Sequence, residues 1–324
     1  MATVSIIITT HQRPDRLPAA IVSAQSASQD VEVIVVDDAS TDETADLCAS
    51  IKGIRYVRVE RNQGVAGARN IGLVASRGEF ISFLDDDDLR LPNSLDEQIE
   101  ALSQAPAAML CYAQAIPEDA GGKRQTPFPE HCPQGDIFWE LLAQNFIPCA
   151  SVVFRRSCIG RVGLLDHHRN RIDDWDLWLR IAEIFPVVGL SKPVVIWRQP
   201  TPTSAQGSSN TVELIALATT HFRHNCLRMP RVAQAPRRER QQAWRAFSIN
   251  FAEHLAWEAF RGLCDHKLGR AFASTRTLLR LHPDAVLRVP RRWMRFSTIN
   301  ALTRGLRRGD LENAKSKFKH MART

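Results

Sequence analysis

The sequence lacks the features that mark membrane-spanning, secreted and zinc-binding proteins. None of its 324 residues lies in an apolar stretch approaching the roughly 18 consecutive residues of a membrane span. The N-terminus has no basic start leading into an apolar segment, as a secretory signal would. The seven cysteines are scattered and contain no Cys-x-x-Cys pair, which argues against a disulfide framework or a zinc site and favours a reducing compartment. We therefore expect a cytoplasmic protein.

Two common nucleotide-binding motifs are also missing. The chain contains no Gly-x-Gly-x-x-Gly and no phosphate-binding loop ending in Gly-Lys-Ser or Gly-Lys-Thr. These motifs bring backbone amides close to phosphates in dinucleotide-binding dehydrogenases and in ATPases. Their absence disfavours both classes.

The N-terminal part of the chain alternates between two hydrophobic patterns. Short β-type apolar runs are separated by segments with helical spacing, and these runs cover residues 4–9, 31–36, 54–59, 80–84 and 108–115. Such alternation predicts an α/β fold with a mostly parallel sheet flanked by helices. Further on, we expect a strand at 150–154, a helix at 174–184, and two short strands near 187–188 and 194–197. A Pro-, Ser- and Thr-rich linker at 199–210 then separates a domain at 1–200 from a helical region at 201–324.

Polar residues follow three of the predicted strands. The first strand ends in Thr9-Thr10-His11, the second in Asp37-Asp38, and the fourth in Asp85-Asp86-Asp87-Asp88. Carboxyl ends of parallel strands form the ligand-binding edge of open α/β sheets. Adjacent carboxylates repel one another unless they share a cation, and hard oxygen ligands favour Mg²⁺ or Mn²⁺. Two alternatives stay open at this point: a solvated acidic turn at 85–88, and an Asp pair at 37–38 that stabilises a helix N-terminus.

Five segments, in this order and at this spacing, resemble the family 2 glycosyltransferases with the GT-A fold. They are Val4–Thr10, Val35–Asp42, Asn62–Asn70, Phe83–Asp88 and Ile172–Arg180. The resemblance covers about residues 3 to 198. It implies a Rossmann-like sheet in which 1–115 binds a nucleotide sugar and 116–200 forms the acceptor side.

The resemblance also implies a role for individual residues. Asp174 would be the general base, and Asp87 would be the metal ligand. Asp38 would contact the nucleobase, in a pocket lined by Thr9 and the backbone near His11, while Asp37 would support the loop or the ribose. Asp85 and Asp86 would bind sugar or ribose hydroxyls, and Arg69 and Arg198 are candidates for the diphosphate. Asp88 would be structural. Four consecutive aspartates leave this register uncertain by one position.

The implied activity is an inverting, metal-dependent sugar transfer. The donor would be a nucleotide-diphosphate sugar, with UDP as the expected nucleotide, and the acceptor a saccharide or lipid-linked hydroxyl in the synthesis of cell-surface polysaccharide or glycolipid. The alternative is a non-catalytic GT-A-like module that binds nucleotide or acts as a scaffold.

Charge is distributed unevenly between the two parts of the chain. Residues 1–200 carry 19 Lys and Arg against 27 Asp and Glu, whereas residues 201–324 carry 23 against 8. The segments 243–263 and 286–308 combine basic residues with apolar ones. The basic region would either contact an anionic membrane at its inner face or pack as an ordinary helical subdomain with a solvated basic face. Nucleic-acid binding is disfavoured because no recognised motif accompanies the charge.

Overall fold

The computed structural model describes residues 3–169, 171–198 and 211–281. The predicted linker at 199–210 and the basic segment at 286–308 lie outside the described residues. The chain divides into two compact units. The N-terminal unit comprises Met1–Leu141 and Asn145–Arg198, and the C-terminal unit comprises Leu142–Gln144 and Gln199–Thr324.

The N-terminal unit is built on one mixed sheet. Its eight strands are β1 (Val4–Thr10), β2 (Val31–Asp37), β3 (Ile54–Arg58), β4 (Phe80–Asp85), β5 (Leu89–Arg90), β6 (Leu110–Glu118), β7 (Val153–Arg155) and β8 (Val187–Arg198). They lie in the order β3-β2-β1-β4-β7-β6-β8-β5. Strands β1 to β4 pair in parallel, as do β6 and β8, whereas β7 is antiparallel to both its neighbours and β5 is antiparallel to β8. The predicted α/β class and mostly parallel sheet are confirmed.

Helices connect the strands and cover both faces of the sheet. The helices that precede Arg198 in the sequence are α1 (Leu17–Gln25), α2 (Thr44–Ser50), α3 (Gly64–Ala75), α4 (Ser94–Gln104), α5 (Phe138–Ala143), α6 (Ile159–Val162) and α7 (Asp173–Ile184). Ile6 and Ile8 of β1 belong to the core cluster that also contains the buried residues of α1 and α4. Ile7 points to the other face, against α3, where a Cβ on Gly72 would lie 2.3 Å from its Cγ2. Only glycine therefore fits at this crossing.

Two details of the predicted strands were wrong. Residues 187 to 198 form one strand rather than two short ones. The register between β8 and β6 shifts around Lys192-Pro193, so the pairing continues on both sides of this irregular region. The predicted strand at 150–154 is a 3₁₀ turn at Cys149–Ser151 followed by the short β7. A proline at 148 and the close packing of that turn account for the difference: Ser151 donates its backbone N–H and its hydroxyl to the Pro148 carbonyl.

The C-terminal unit is helical over its described residues. It contains α8 (Thr211–His224), α9 (Pro230–Gln234), α10 (Arg237–Cys264) and α11 (Leu268–Leu281). Aromatic side chains hold α8 against α10: Phe222 lies 4.5 Å from Phe247 and 5.3 Å from Trp244, measured between ring centroids. In the parts of the chain that the structure describes, no helix combines the length and the apolar character needed to cross a bilayer.

Candidate functional site

The carboxyl ends of three parallel strands bring the predicted polar residues to one edge of the sheet. Thr10 of β1 is in register with Asp37 of β2, and Thr9 is in register with Asp85 of β4. The backbone N–H of Asp38 donates to the Thr10 carbonyl at 2.9 Å, which continues the pairing one residue beyond the strand. The sequence-based prediction that these strand ends converge is confirmed.

Asp37 and Asp38 have different surroundings although they are adjacent. Asp37 is fully buried and accepts hydrogen bonds from the Tyr56 hydroxyl at 2.5 Å and the Ser40 backbone N–H at 2.9 Å. Asp38 accepts a hydrogen bond from the Gln63 backbone N–H at 2.6 Å, and burial raises its pKa. Asp37 thus holds the loop after β2, while the Asp38 carboxylate contacts the backbone just before α3.

Arg69 of α3 joins two acidic segments that are far apart in the sequence. Its Nη2 lies 2.8 Å from Oδ1 of Asp85, and its Nη1 lies 2.9 Å from Oδ2 of Asp173. The guanidinium also lies over the Phe83 ring, 5.3 Å from the centroid, and the residue is only 5% exposed. Arg69 was predicted as a diphosphate ligand. In this structure its guanidinium pairs with these two carboxylates and fixes the distance between the end of β4 and the start of α7.

Asp174 lies next to this bridge, in the first turn of α7. Its Oδ1 accepts the backbone N–H of Trp175 at 2.6 Å, which sets the direction of the carboxyl group. Burial, together with the neighbouring charge of Asp173, raises the pKa of Asp174 to about 7, although Arg69 acts in the opposite direction. A carboxyl group with such a pKa can accept a proton near neutral pH, as a general base must.

The remaining residues of the Ile172–Arg180 segment are structural, as the helical spacing predicts. Trp178 is fully buried and lies 5.8 Å from Phe154 and 6.3 Å from Phe83 between ring centroids. Asp176 pairs with Arg180 one turn later, with the Nη2 and Oδ2 atoms 2.9 Å apart. The core packing of this helix therefore holds Asp173 and Asp174 at its N-terminus.

Arg13 contacts two of the four consecutive aspartates, although it belongs to none of the sequence motifs described above. Its Nη1 lies 2.5 Å from Asp86 and its Nη2 2.5 Å from Asp87. Asp86 also accepts the Thr10 hydroxyl at 2.7 Å. Burial raises the pKa of Asp86 to about 7, although Arg13 and Thr10 act in the opposite direction. Thus one guanidinium supplies positive charge to both carboxylates.

A set of three carboxylates in this loop has the composition of a divalent-cation site. Oxygen atoms of Asp85, Asp87 and Asp88 lie within 4.8 Å of one another. Carboxylate oxygens are the donors that Mg²⁺ and Mn²⁺ prefer, so the residues fit such an ion. Asp88 also accepts the Arg198 backbone N–H at 2.9 Å, and burial raises its pKa well above the usual range. Asp88 therefore connects the loop after β4 to the end of β8, and it also belongs to the set of three carboxylates.

Two predicted ligands are less closely associated with the acidic cluster. His11 is exposed just beyond β1, near Asp38. The Arg198 guanidinium lies 3.6 Å from Glu118, measured from Nε to Oε1, and only its backbone N–H contacts the aspartates. Their proposed contacts with nucleobase and diphosphate stay predictions.

Arg13→Ala is expected to lower the free energy of unfolding by about 3 kcal/mol at neutral pH, because it leaves two largely buried carboxylates without their shared partner. Urea denaturation in metal-free buffer measures this change. Arg16→Ala, at an exposed position three residues later, is the matched control and should change stability by less than about 0.5 kcal/mol. Equal stability of the two variants would show that Arg13 does not neutralise the cluster.

Comparisons with known proteins point to one family. The family model described as "Glycosyl transferase family 2" matches residues 5–161. The chain is 39% identical over 184 residues to the UDP-Glc:alpha-D-GlcNAc-diphosphoundecaprenol beta-1,3-glucosyltransferase WfaP of Escherichia coli, covering 56% of this chain and 70% of that protein. It is 27% identical over 199 residues to the amylovoran biosynthesis glycosyltransferase AmsE of Erwinia amylovora, covering 59% and 73%.

Solved structures show the same fold. The crystal structure of S. aureus TarS 1-349 in complex with UDP-GlcNAc superposes with a TM-score of 0.55, covering 88% of this chain and 92% of that chain at 16% identity. At this identity the similarity concerns the fold alone. It agrees with the α/β architecture that the strand pattern predicts.

Proposed function

Since the chain belongs to glycosyl transferase family 2 and has the GT-A fold, we propose that it is an inverting, metal-dependent glycosyltransferase that uses a UDP-sugar. The acceptor would be a saccharide or lipid-linked hydroxyl in the assembly of cell-surface polysaccharide or glycolipid. The names of its relatives support this choice, because WfaP is described as using UDP-Glc and a diphosphoundecaprenol-linked sugar, and AmsE as serving amylovoran biosynthesis. Residues 1–200 would be the catalytic domain and 201–324 an accessory helical region.

The bridge through Arg69 is the observation that carries the proposal. It joins Asp85, at the end of β4, to Asp173, beside the proposed base Asp174, with both nitrogen–oxygen distances below 3 Å. A direct displacement needs the leaving diphosphate and the attacking hydroxyl on opposite sides of one anomeric carbon. Acidic groups held side by side on two separate segments suit this requirement. The carboxylates after β4 can act on the diphosphate side, and those at the start of α7 can act on the hydroxyl.

The transfer follows from the roles of these residues. Asp174 would take the proton from the acceptor hydroxyl as that oxygen forms a bond to the anomeric carbon. The bond from the anomeric carbon to the diphosphate oxygen breaks, UDP leaves with the electron pair, and the configuration inverts. Asp38 would accept the N3–H of uracil. Bound at Asp85, Asp87 and Asp88, a divalent cation would neutralise the charge that develops on the leaving diphosphate.

A thermal-shift panel tests the donor class. UDP with Mn²⁺ is expected to raise the melting temperature more than ADP or GDP with Mn²⁺, because a ligand of the native state stabilises it by about 2.7 kcal/mol at one hundred times its Kd. Asp38→Asn should reduce the shift with UDP, since an amide presents a donor where the carboxylate accepts. Asp96→Asn, at an exposed position in the first turn of α4, should leave the shift unchanged. Equal shifts with all three nucleotides would contradict the assignment of Asp38 and of the uridine donor.

A further inference from the structure

The helical hairpin formed by α10 and α11 exposes four large apolar side chains. Leu263 at the end of α10 is 54% exposed, and on α11 Leu268 is 68%, Phe272 71% and Leu279 49% exposed. Isolated exposed apolar residues are common, but contiguous ones mark an interaction surface. We refer to these four residues as the hairpin face.

Helical spacing places the three members on α11 along one stripe. Leu268, Phe272 and Leu279 are separated by four and seven residues, which returns to the same side of an α-helix. The helix is held by a different stripe, since its buried residues are Ala271, Ser274, Leu278 and Leu281. A Cβ on Gly262 of α10 would lie 2.8 Å from the Ala271 backbone nitrogen, so the two helices pack closely there. Packing within the hairpin therefore does not account for the exposed stripe.

Basic residues accompany this face. Lys267, Arg270, Arg276 and Arg280 are all exposed, and α11 contains no Asp or Glu. Arg270 lies 3.9 Å from Glu258 of α10, whereas Arg276 and Arg280 lie further along the helix. The sequence that follows, residues 282–324, adds 11 Lys and Arg against 3 Asp and Glu. Positive charge thus surrounds the apolar stripe and continues beyond it in the sequence.

We propose that the hairpin face binds an anionic lipid surface, with Leu268, Phe272 and Leu279 inserted at the headgroup boundary and the flanking Lys and Arg on the phosphates. Amphipathic helices with large apolar side chains on one side and Lys or Arg beside them bind bilayers in this orientation. Charge complementarity favours an anionic lipid surface over an apolar protein partner, because an apolar protein would not require the surplus of Lys and Arg. The proposal rests on the C-terminal unit alone and does not depend on the sugar-transfer reaction.

Co-sedimentation of the full chain with vesicles tests the proposal without any sugar donor. Vesicles containing 30% phosphatidylglycerol in phosphatidylcholine should bind the protein, and binding should weaken as salt increases, whereas phosphatidylcholine alone should bind it much less. Arg276→Gln with Arg280→Gln should weaken binding about 30-fold, since each basic residue near the surface contributes about fivefold to the affinity. Phe272→Gln with Leu279→Gln should weaken it at least about 10-fold.

Matched controls come from the N-terminal unit. Val22→Gln with Val74→Gln removes two apolar side chains that are 64% and 79% exposed, and Arg16→Gln with Arg77→Gln removes two exposed charges. Both should bind vesicles as the unaltered protein does. Absence of binding to anionic vesicles, or equal losses in the controls, would overturn the proposal. Conversion of a dimer to a monomer by Phe272→Gln with Leu279→Gln, seen by analytical ultracentrifugation, would also overturn it, because a second copy would then occupy the face.

Discussion

Asp174→Asn is expected to reduce the rate of sugar transfer by about 10²- to 10⁴-fold while leaving the affinity for UDP nearly unchanged. An amide cannot take the proton of the acceptor hydroxyl, so the step in which that oxygen attacks loses its base. The Asp174 carboxyl group lies beside the Arg69–Asp173 pair, and the proposed nucleobase ligand Asp38 keeps its hydrogen bond from Gln63. Initial rates with saturating donor, together with UDP affinity by calorimetry, measure the two effects.

The fold should tolerate this substitution. The asparagine side-chain oxygen can still accept the Trp175 backbone N–H, and loss of a charge that burial disfavours relieves repulsion with Asp173. Asp96→Asn makes the same chemical change at an exposed position and should keep full activity. Full activity of Asp174→Asn would refute the assignment of the base, whereas an equal loss of UDP affinity and activity would indicate a binding role instead.

The same assignment predicts a pH dependence. Because burial raises the pKa of Asp174 to about 7, its proton-accepting form increases as the pH rises through that value. The transfer rate should therefore increase between about pH 6 and pH 8, and kcat/KM plotted against pH reports the pKa in the free enzyme. In Asp174→Asn the residual rate should lose this rise.

Asp87→Asn is expected to lower the affinity for Mn²⁺ and to reduce transfer by about 10²-fold or more. Loss of about 3 kcal/mol of charge stabilisation at the leaving diphosphate corresponds to that factor. The carboxylate oxygens of Asp85, Asp87 and Asp88 lie close enough together to bind one cation. The amide of the Asp87→Asn variant is a weaker ligand for a hard cation than a carboxylate. Titration of Mn²⁺ followed by electron paramagnetic resonance, with UDP present, measures the affinity independently of activity.

Asp86→Asn is the matched variant for this experiment. Both aspartates pair with Arg13, but the Asp86 carboxyl group also accepts the Thr10 hydroxyl and does not belong to the set of three neighbouring carboxylates. We therefore expect it to keep its Mn²⁺ affinity even though it is predicted to bind donor hydroxyls. If Asp86→Asn loses the metal and Asp87→Asn retains it, the register of the aspartate run must be shifted by one position.

The location of the site follows from local sequence signals. Val4–Thr10, Val31–Asp37 and Phe80–Asp85 are apolar runs that end in polar residues, and parallel strands bring their carboxyl ends to one edge. The core position of Trp178 and the pair formed by Asp176 and Arg180 follow from helical spacing in the same way. These features depend on residues that are close in the sequence, so the sequence pattern alone predicts them.

The partners of the acidic residues could not be predicted from such patterns. Arg69 and Asp173 are 104 residues apart, and nothing in either segment indicates that they meet. Arg13 follows Gln12, whose positive φ of 53° turns the chain beyond β1 and determines where the guanidinium lies. Asp88 was expected to be structural, yet it also belongs to the set of carboxylates suited to a cation. Tertiary packing decides each of these contacts.

Release of UDP from UDP-sugars by the unaltered protein tests the proposed sugar transfer most directly. It is followed over time with a range of acceptors in the presence of Mn²⁺. We expect acceptor-stimulated UDP release that stops when EDTA removes the cation and that falls by at least about 10²-fold in Asp174→Asn. A protein that binds UDP but releases none above the buffer rate with any donor would instead be a non-catalytic nucleotide-binding module.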